Sequence, residues 1–144
     1  MAGRGVAAGG ALVLDSEGLS KLAAGDGRAR AYLETARLRR SRVVVSAITL
    51  TEVLRGCARD ALVHRVLSRV AVAPVTPELA RTAGELLGVT GLSGHRCAID
   101  AVVAATALEL ARPVVLLTSD PDELTKLVEE PARQKEERVI VVHV

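Results

Sequence analysis

At 144 residues the chain fits one domain and is long enough to bury a real core. Its 49% hydrophobic and 25% charged residues exclude a disordered chain, and a formal net charge of +2 gives no ground by itself for a nucleic-acid partner. With no Phe or Trp and only Tyr32 among the aromatics, the core must be built from Leu, Val, Ile and Ala.

No apolar run is long enough to span a membrane. Cys57 and Cys97 stand far apart, and His64, His95 and His143 lack ligand spacing, so no Cys or His metal motif is present. That cysteine usage points to a reduced, cytoplasmic setting. Residues 1–10 read as a flexible lead-in and 11–144 as a single domain. A signal peptide is the weaker reading, because Gly9-Gly10 interrupts the apolar run and Asp15 ends it early.

In chain order, Ala11 to Leu14 reads as a buried parallel strand closed by Asp15. Gly18 to Ala24 reads as a short helix stopped by Gly25-Asp26-Gly27. The stretch from Arg28 to Arg40 is a second helix, with Ala29, Leu33 and Ala36 on one face and Arg30, Arg37 and Arg40 on another. Val43 to Val45 is a second strand, and Ser46 can cap the helix after it. A helix over Asp60 to Val70 turns Leu62, Val66 and Leu67 inward. A short strand or edge follows at Val72 to Val75. Thr76-Pro77 starts a helix that runs to about Leu87, and Gly88 to Gly94 reads as a loop. Next come an apolar helix carrying Asp100, the strand Val114 to Leu117, a helix from Pro121 to about Glu130, and a last strand over Val139 to Val142. Strands alternating with helices define an α/β layered fold with a mainly parallel sheet.

Four carboxylates stand where such folds place sites, just beyond the carboxyl ends of parallel strands. Asp15 ends the first strand and Asp120 follows the strand at Val114. Glu52 and Asp100 lie early in helices. Each has a plainer reading. Asp120 with Glu123 matches a capping box, Glu52 stands three residues after Thr49 in a similar pattern, and Asp15 can serve a strand-end turn. Asp100 has the weakest alternative, because a lone carboxylate among Ala, Ile and Val is unfavourable unless paired or bound to a metal. Glu17 and Asp122 read as solvated acids at helix starts. If the four converge they repel one another, and cations must hold them together. Oxygen ligands alone select Mg²⁺ or Mn²⁺, and such a site suits phosphoryl chemistry.

The segments Val13 to Ser16 (VLDS), Ser46 to Gly56 (SAITLTEVLRG), Ile99 to Leu108 (IDAVVAATAL) and Leu116 to Leu124 (LLTSDPDEL) resemble, in order and spacing, the four signature regions of PIN domains. The resemblance covers nearly the whole chain. It implies a three-layer α/β/α fold and an Mg²⁺- or Mn²⁺-dependent endoribonuclease. Many bacterial single-domain members are VapC-like toxins held inactive by a cognate antitoxin, and a homodimer is expected. Matched by motif, Asp15, Glu52, Asp100 and Asp120 are the catalytic and metal-binding acids, and Ser16 and Thr118 are the hydroxyls beside the first and fourth. Leu124 stands where members often carry an aromatic.

Arg30, Arg37 and Arg40 are candidates for RNA phosphates, although a solvated helix face is the better account of each one taken alone. Two other functional classes compete. One is a non-catalytic PIN-like module binding RNA or protein, against which the presence of all four acids argues. The other is a receiver-like phosphoacceptor domain, which needs a Lys beyond a late strand where this sequence has none.

Overall fold

The computed structural model describes residues 9–144. The lead-in expected over residues 1–10 therefore lies outside the described residues up to position 8. Its last two residues are held in place. Gly9 is buried, and its carbonyl accepts the Ser41 hydroxyl. The Gly10 carbonyl accepts Arg42 N–H at 3.0 Å. A Cβ on Gly9 would stand 2.0 Å from the Arg40 carbonyl oxygen, and one on Gly10, whose φ is +67°, would stand 2.1 Å from that of Pro113. Only glycine passes here.

Five parallel strands form one sheet: β1 (Ala11–Leu14), β2 (Arg42–Ser46), β3 (Ala71–Ala73), β4 (Val114–Thr118) and β5 (Ile140–His143), in the order β3-β2-β1-β4-β5. Alternate residues of β1 face opposite sides, as strand geometry requires. Ala11 and Val13 pack with helices α5 (Pro77–Thr90), α6 (Gly94–Glu109) and α7 (Pro121–Leu127). Leu12 and Leu14 pack with α1 (Ser16–Ala23), α2 (Gly27–Leu38) and α4 (Ala61–Leu67). The result is the expected α/β/α sandwich. Helix α3 (Ala47–Val53) belongs to neither layer alone. Ile48 packs into the first core, Leu50 and Val53 pack into the second, and the helix touches both α1 and α6.

Several boundaries differ from those read in the sequence. Helix α5 continues through Gly88 to Thr90 and stops at Gly91, which takes the left-handed conformation at φ 71°. A mid-helix glycine costs about 1 kcal/mol against alanine, and here Leu86 and Leu87 still pack on the core. Ser93 then caps α6, so the expected Gly88–Gly94 loop shrinks to the turn between these helices. The helix expected from Asp60 begins at Ala61, because the Asp60 carboxylate turns back to accept Arg55 and Gly56 N–H at 2.9 and 2.7 Å. In it Val63 is buried, whereas Leu62, expected inward, is 49% exposed. Helix α7 ends at Leu127 rather than near Glu130, whose carboxylate is drawn to Arg112 at 2.7 Å. Arg40 falls outside α2, in a left-handed turn at φ 55°. Among the described residues no helix is long and apolar enough to cross a membrane.

Candidate acidic site at the carboxyl edge of the sheet

Strands β1 and β4 are neighbours, yet the chain leaves β1 toward β2 and β3 on one side and leaves β4 toward β5 on the other. Such a switch in strand order opens a crevice at the carboxyl ends, where α/β proteins bind ligands. Asp15 follows Leu14, which pairs with Leu117 of β4, so Asp15 and Thr118 stand side by side at its mouth.

Asp15 is the N-cap of α1, and one carboxylate oxygen accepts Gly18 N–H at 2.8 Å. It is 7% exposed. Burial holds its carboxyl above the ordinary range. The Gly18 amide and the Thr118 hydroxyl oppose the rise, and the charge of Glu17 adds to it. Gly18 has a reason of its own to be glycine. A Cβ there would lie 2.7 Å from the Leu117 carbonyl oxygen, so the first turn of α1 rests directly on the end of β4.

Asp100 lies in the second turn of α6 and is half-buried. Its carboxyl is pushed up to about 6, first by burial, then by Glu123, which is within hydrogen-bonding reach, and then by the charges of Asp15 and Glu52. Two of the other expected acids, Asp15 and Glu52, therefore act on Asp100. Glu123 joins them. The sequence reading gave Glu123 only a capping role, yet it is the strongest charged neighbour of Asp100. Its spacing of one helical turn from Asp120 on α7 was the available signal.

Asp120 is exposed at the N-cap position of α7, but its side chain accepts no helix N–H. The capping box does not form, because Asp120 N–H donates instead to Thr118 Oγ1 at 3.0 Å. The box suggested for Thr49 and Glu52 also fails, since Ser46 is the cap of α3 and its hydroxyl accepts Ile48 N–H. Glu52 is exposed one turn farther along that helix. Thr118 is fully buried, whereas Ser16 is half-buried at the start of α1. Buried Cys97, one turn before Asp100, has its thiol pushed up by burial and by Glu123 and Asp100, which keeps it a thiol rather than a nucleophilic thiolate.

Among the described residues no Lys or Arg is paired with Asp15, Glu52, Asp100 or Asp120. Arg96 approaches Glu123 at 3.9 Å from a largely exposed position. Nor do any three Asp, Glu, His or Cys side chains among the described residues already stand at ligand spacing. Asp15, Glu52 and Glu123 share one electrostatic neighbourhood with Asp100 without closing on a point, as like charges short of a counter-charge should, while Asp120 is not among the charges that act on it. Their chemistry fits a hard divalent cation: the donors are oxygens, the charge is in excess, and Glu123 raises the Asp100 carboxyl as a like charge beside it does.

Arg30 and Arg37 lie elsewhere. With Arg65 and Arg69 they line a groove between α2 and α4 whose apolar lining includes Leu33, Leu62 and Val66. The groove also takes in Leu22 and Ala23, at the opposite end of α1 from Asp15. An eight-residue helix is roughly 12 Å long.

The molecule is thus an α/β/α protein with an acidic crevice at the switch point of a wholly parallel sheet. A family model described as "PIN domain" matches residues 12–129. The chain belongs to the PIN domain family. Its fold is similar to that of a chain in the crystal structure of VapBC2 from Rickettsia felis bound to a DNA fragment from their promoter, with a TM-score of 0.65 and 16% identity over 92% of this chain and 98% of that one. No curated protein sequence matches this chain.

Proposed function

We propose that the protein is a metal-dependent endoribonuclease that hydrolyses RNA phosphodiester bonds in the cytoplasm as the toxin of a toxin–antitoxin pair. The observation that carries the reading is Asp100. It is a half-buried carboxyl raised to about 6, facing Glu123, with Asp15 and Glu52 close enough to raise it further and no cationic side chain paired with it among the described residues. Membership of the PIN family, whose members are generally nucleases, supports the same reading.

Asp15, Glu52, Asp100 and Asp120 would hold Mg²⁺ or Mn²⁺, with Glu123 as a further ligand or an acceptor for bound water. When bound, the cation supplies charge that offsets the phosphate and makes water a better nucleophile. Asp15 keeps one oxygen on the Gly18 N–H at the mouth of the crevice. Asp120, free of capping work, is open to solvent and to an incoming strand. Thr118 fixes the Asp120 backbone, and Ser16 offers a hydroxyl at the rim. Two copies of the chain would pair as a homodimer, as the family resemblance implies.

An antitoxin is the partner implied by the fold's similarity to a VapBC2 chain. The groove between α2 and α4 supports this part of the reading. Its apolar floor and arginine rim fit an amphipathic segment with acidic residues better than they fit bare RNA, which offers phosphates but little apolar surface. The test is cleavage of labelled RNA by the purified protein with Mg²⁺, with Mn²⁺ and with a chelator. Cleavage should need the cation and vanish in Asp15→Asn. Undiminished cleavage in the chelator or in that variant would refute the assignment.

A further inference from the structure

Among the described residues a single buried side-chain polar atom has no hydrogen-bond partner, Thr49 Oγ1. Thr49 is fully buried. Other buried hydroxyls are satisfied: that of Ser46 by Ile48 N–H, that of Thr106 by the Val102 carbonyl, and that of Thr118 by Asp120 N–H. Threonines elsewhere in the helices, at positions 82, 90, 106 and 125, donate to the carbonyl four residues back. For Thr49 that residue is Val45, which is committed to β2 between Leu14 and Val72. Folded proteins seldom leave a buried hydroxyl unpaired unless a water, ion or ligand completes it.

The position of Thr49 bears on what completes it. Helix α3 rises from the carboxyl end of β2 and packs on α1 and α6, the helices that begin at Asp15 and carry Asp100. At about 100° per residue, Ile48 turns to one core and Leu50 to the other. Thr49 falls between them, over the end of the sheet. Glu52 lies one turn farther out on the same side of the helix, roughly 60° away.

We infer that Thr49 is a positioning residue of the acidic crevice, whose hydroxyl donates a hydrogen bond to a carboxylate or water of the oxygen shell gathered there by a divalent cation. The inference rests on the metal-dependent reading above. Outer partners of this kind hold ligands in place and are commonly worth ten-fold or more in metal affinity.

The experiment compares Thr49→Val, which keeps the shape and removes the hydroxyl, with Thr49→Ser, which keeps the hydroxyl. Thermal unfolding without cation and calorimetric titration with Mn²⁺ are measured on the whole protein. Without cation, Thr49→Val should melt at or above the parent temperature, because it gives up no hydrogen bond. Its Mn²⁺ affinity should fall about ten-fold, and that of Thr49→Ser should stay near the parent. Failure of Thr49→Val to fold, or a melting temperature several degrees lower without cation, would make the hydroxyl an ordinary structural donor and overturn the inference. Unchanged Mn²⁺ affinity in Thr49→Val would overturn it as well. Absence of Mn²⁺ binding by the parent protein would be a different failure, that of the metal-dependent reading itself.

Discussion

The two ends of β1 are built on opposite terms. At its start the backbone is tied to both neighbouring segments. Ala11 N–H reaches the Pro113 carbonyl at 2.9 Å, Gly10 and Gly9 accept Arg42 N–H and the Ser41 hydroxyl, and there is no room for a single added carbon. At its end, four residues after Ala11, burial raises the Asp15 carboxyl, Asp100 is pushed to about 6, and Thr49 Oγ1 has no partner. The first end is finished by the fold, whereas at the second, among the described residues, no Lys or Arg pairs with Asp15 or Asp100. Clustered acids with raised protonation ranges are what the proposed metal-dependent reading draws on.

The comparison breaks most sharply at the finished end. Gly10→Ala puts a Cβ 2.1 Å from a backbone oxygen at a φ of +67°. It should cost about 3 kcal/mol or more, from backbone strain and overpacking together, read from the urea midpoint. A loss below about 1 kcal/mol would mean that the chain before β1 moves aside without penalty.

The unfinished end should respond in the opposite sense. Unfolded, Asp100 titrates near 3.8, and folded, near 6. Its contribution is therefore neutral below pH 4, becomes unfavourable as pH rises from 4 to 6, and is fully unfavourable above that. Without cation, Asp100→Asn should raise stability by about 1–2 kcal/mol at pH 7 to 8, after allowance for solvent screening of a half-exposed group, and by little at pH 4. With Mg²⁺ or Mn²⁺ the order should reverse, because only the parent gains from binding to the folded state. Cation affinity should also weaken as pH falls through 6, as Asp100 takes up its proton. An Asp100→Asn protein less stable than the parent at pH 7 without cation would replace the missing charge with an ordinary buried hydrogen bond.

Asp15 sits between the two regimes, since it caps a helix and faces the crevice. Asn caps as well as Asp, and Ala does not. Without cation, Asp15→Asn should match or exceed the parent in stability, since it keeps the cap and sheds a buried charge, and Asp15→Ala should fall about 1 kcal/mol below Asp15→Asn in the same urea titration. Both should lose the cation response. Equal stability of the two variants would show that the bond to Gly18 adds nothing.

The acids were legible in the sequence because their setting is a matter of order along the chain: a charge closing an apolar strand, or a charge inside an apolar helix. The layers were legible for the same reason, since Val13-Leu14, Val44-Val45 and Leu116-Leu117 read as buried strands. What lay outside the sequence was approach. Gly18 looks like a helix-start residue until the Leu117 carbonyl is seen beneath it. Glu123 looks like half of a capping box until Thr118 takes the Asp120 amide and leaves Glu123 facing Asp100. Arg40 belongs to an arginine stripe at helical spacing, but α2 ends before it. Thr49 carries no signal at all, because an unpaired hydroxyl is defined only by its surroundings.

The smallest expected effect separates the acidic crevice from the arginine-lined groove. Arg37 is 43% exposed and pairs with Glu34 at 3.1 Å within the same helix, an ion pair worth little in water. Arg37→Ala with Arg65→Ala should therefore change stability by no more than about 0.5 kcal/mol. If the groove takes an acidic partner segment, RNA binding by the cleavage-deficient Asp15→Asn protein should change less than about two-fold on adding these substitutions. Its dependence on salt should keep the same slope, because the number of phosphates neutralised is unchanged. Arginines that held the RNA backbone would give the opposite result, with weaker binding to every sequence and a slope flatter by about one per lost contact. That outcome would move Arg37 from the partner's groove to the substrate's path and extend the RNA footprint from the carboxyl edge of the sheet down the whole length of α1.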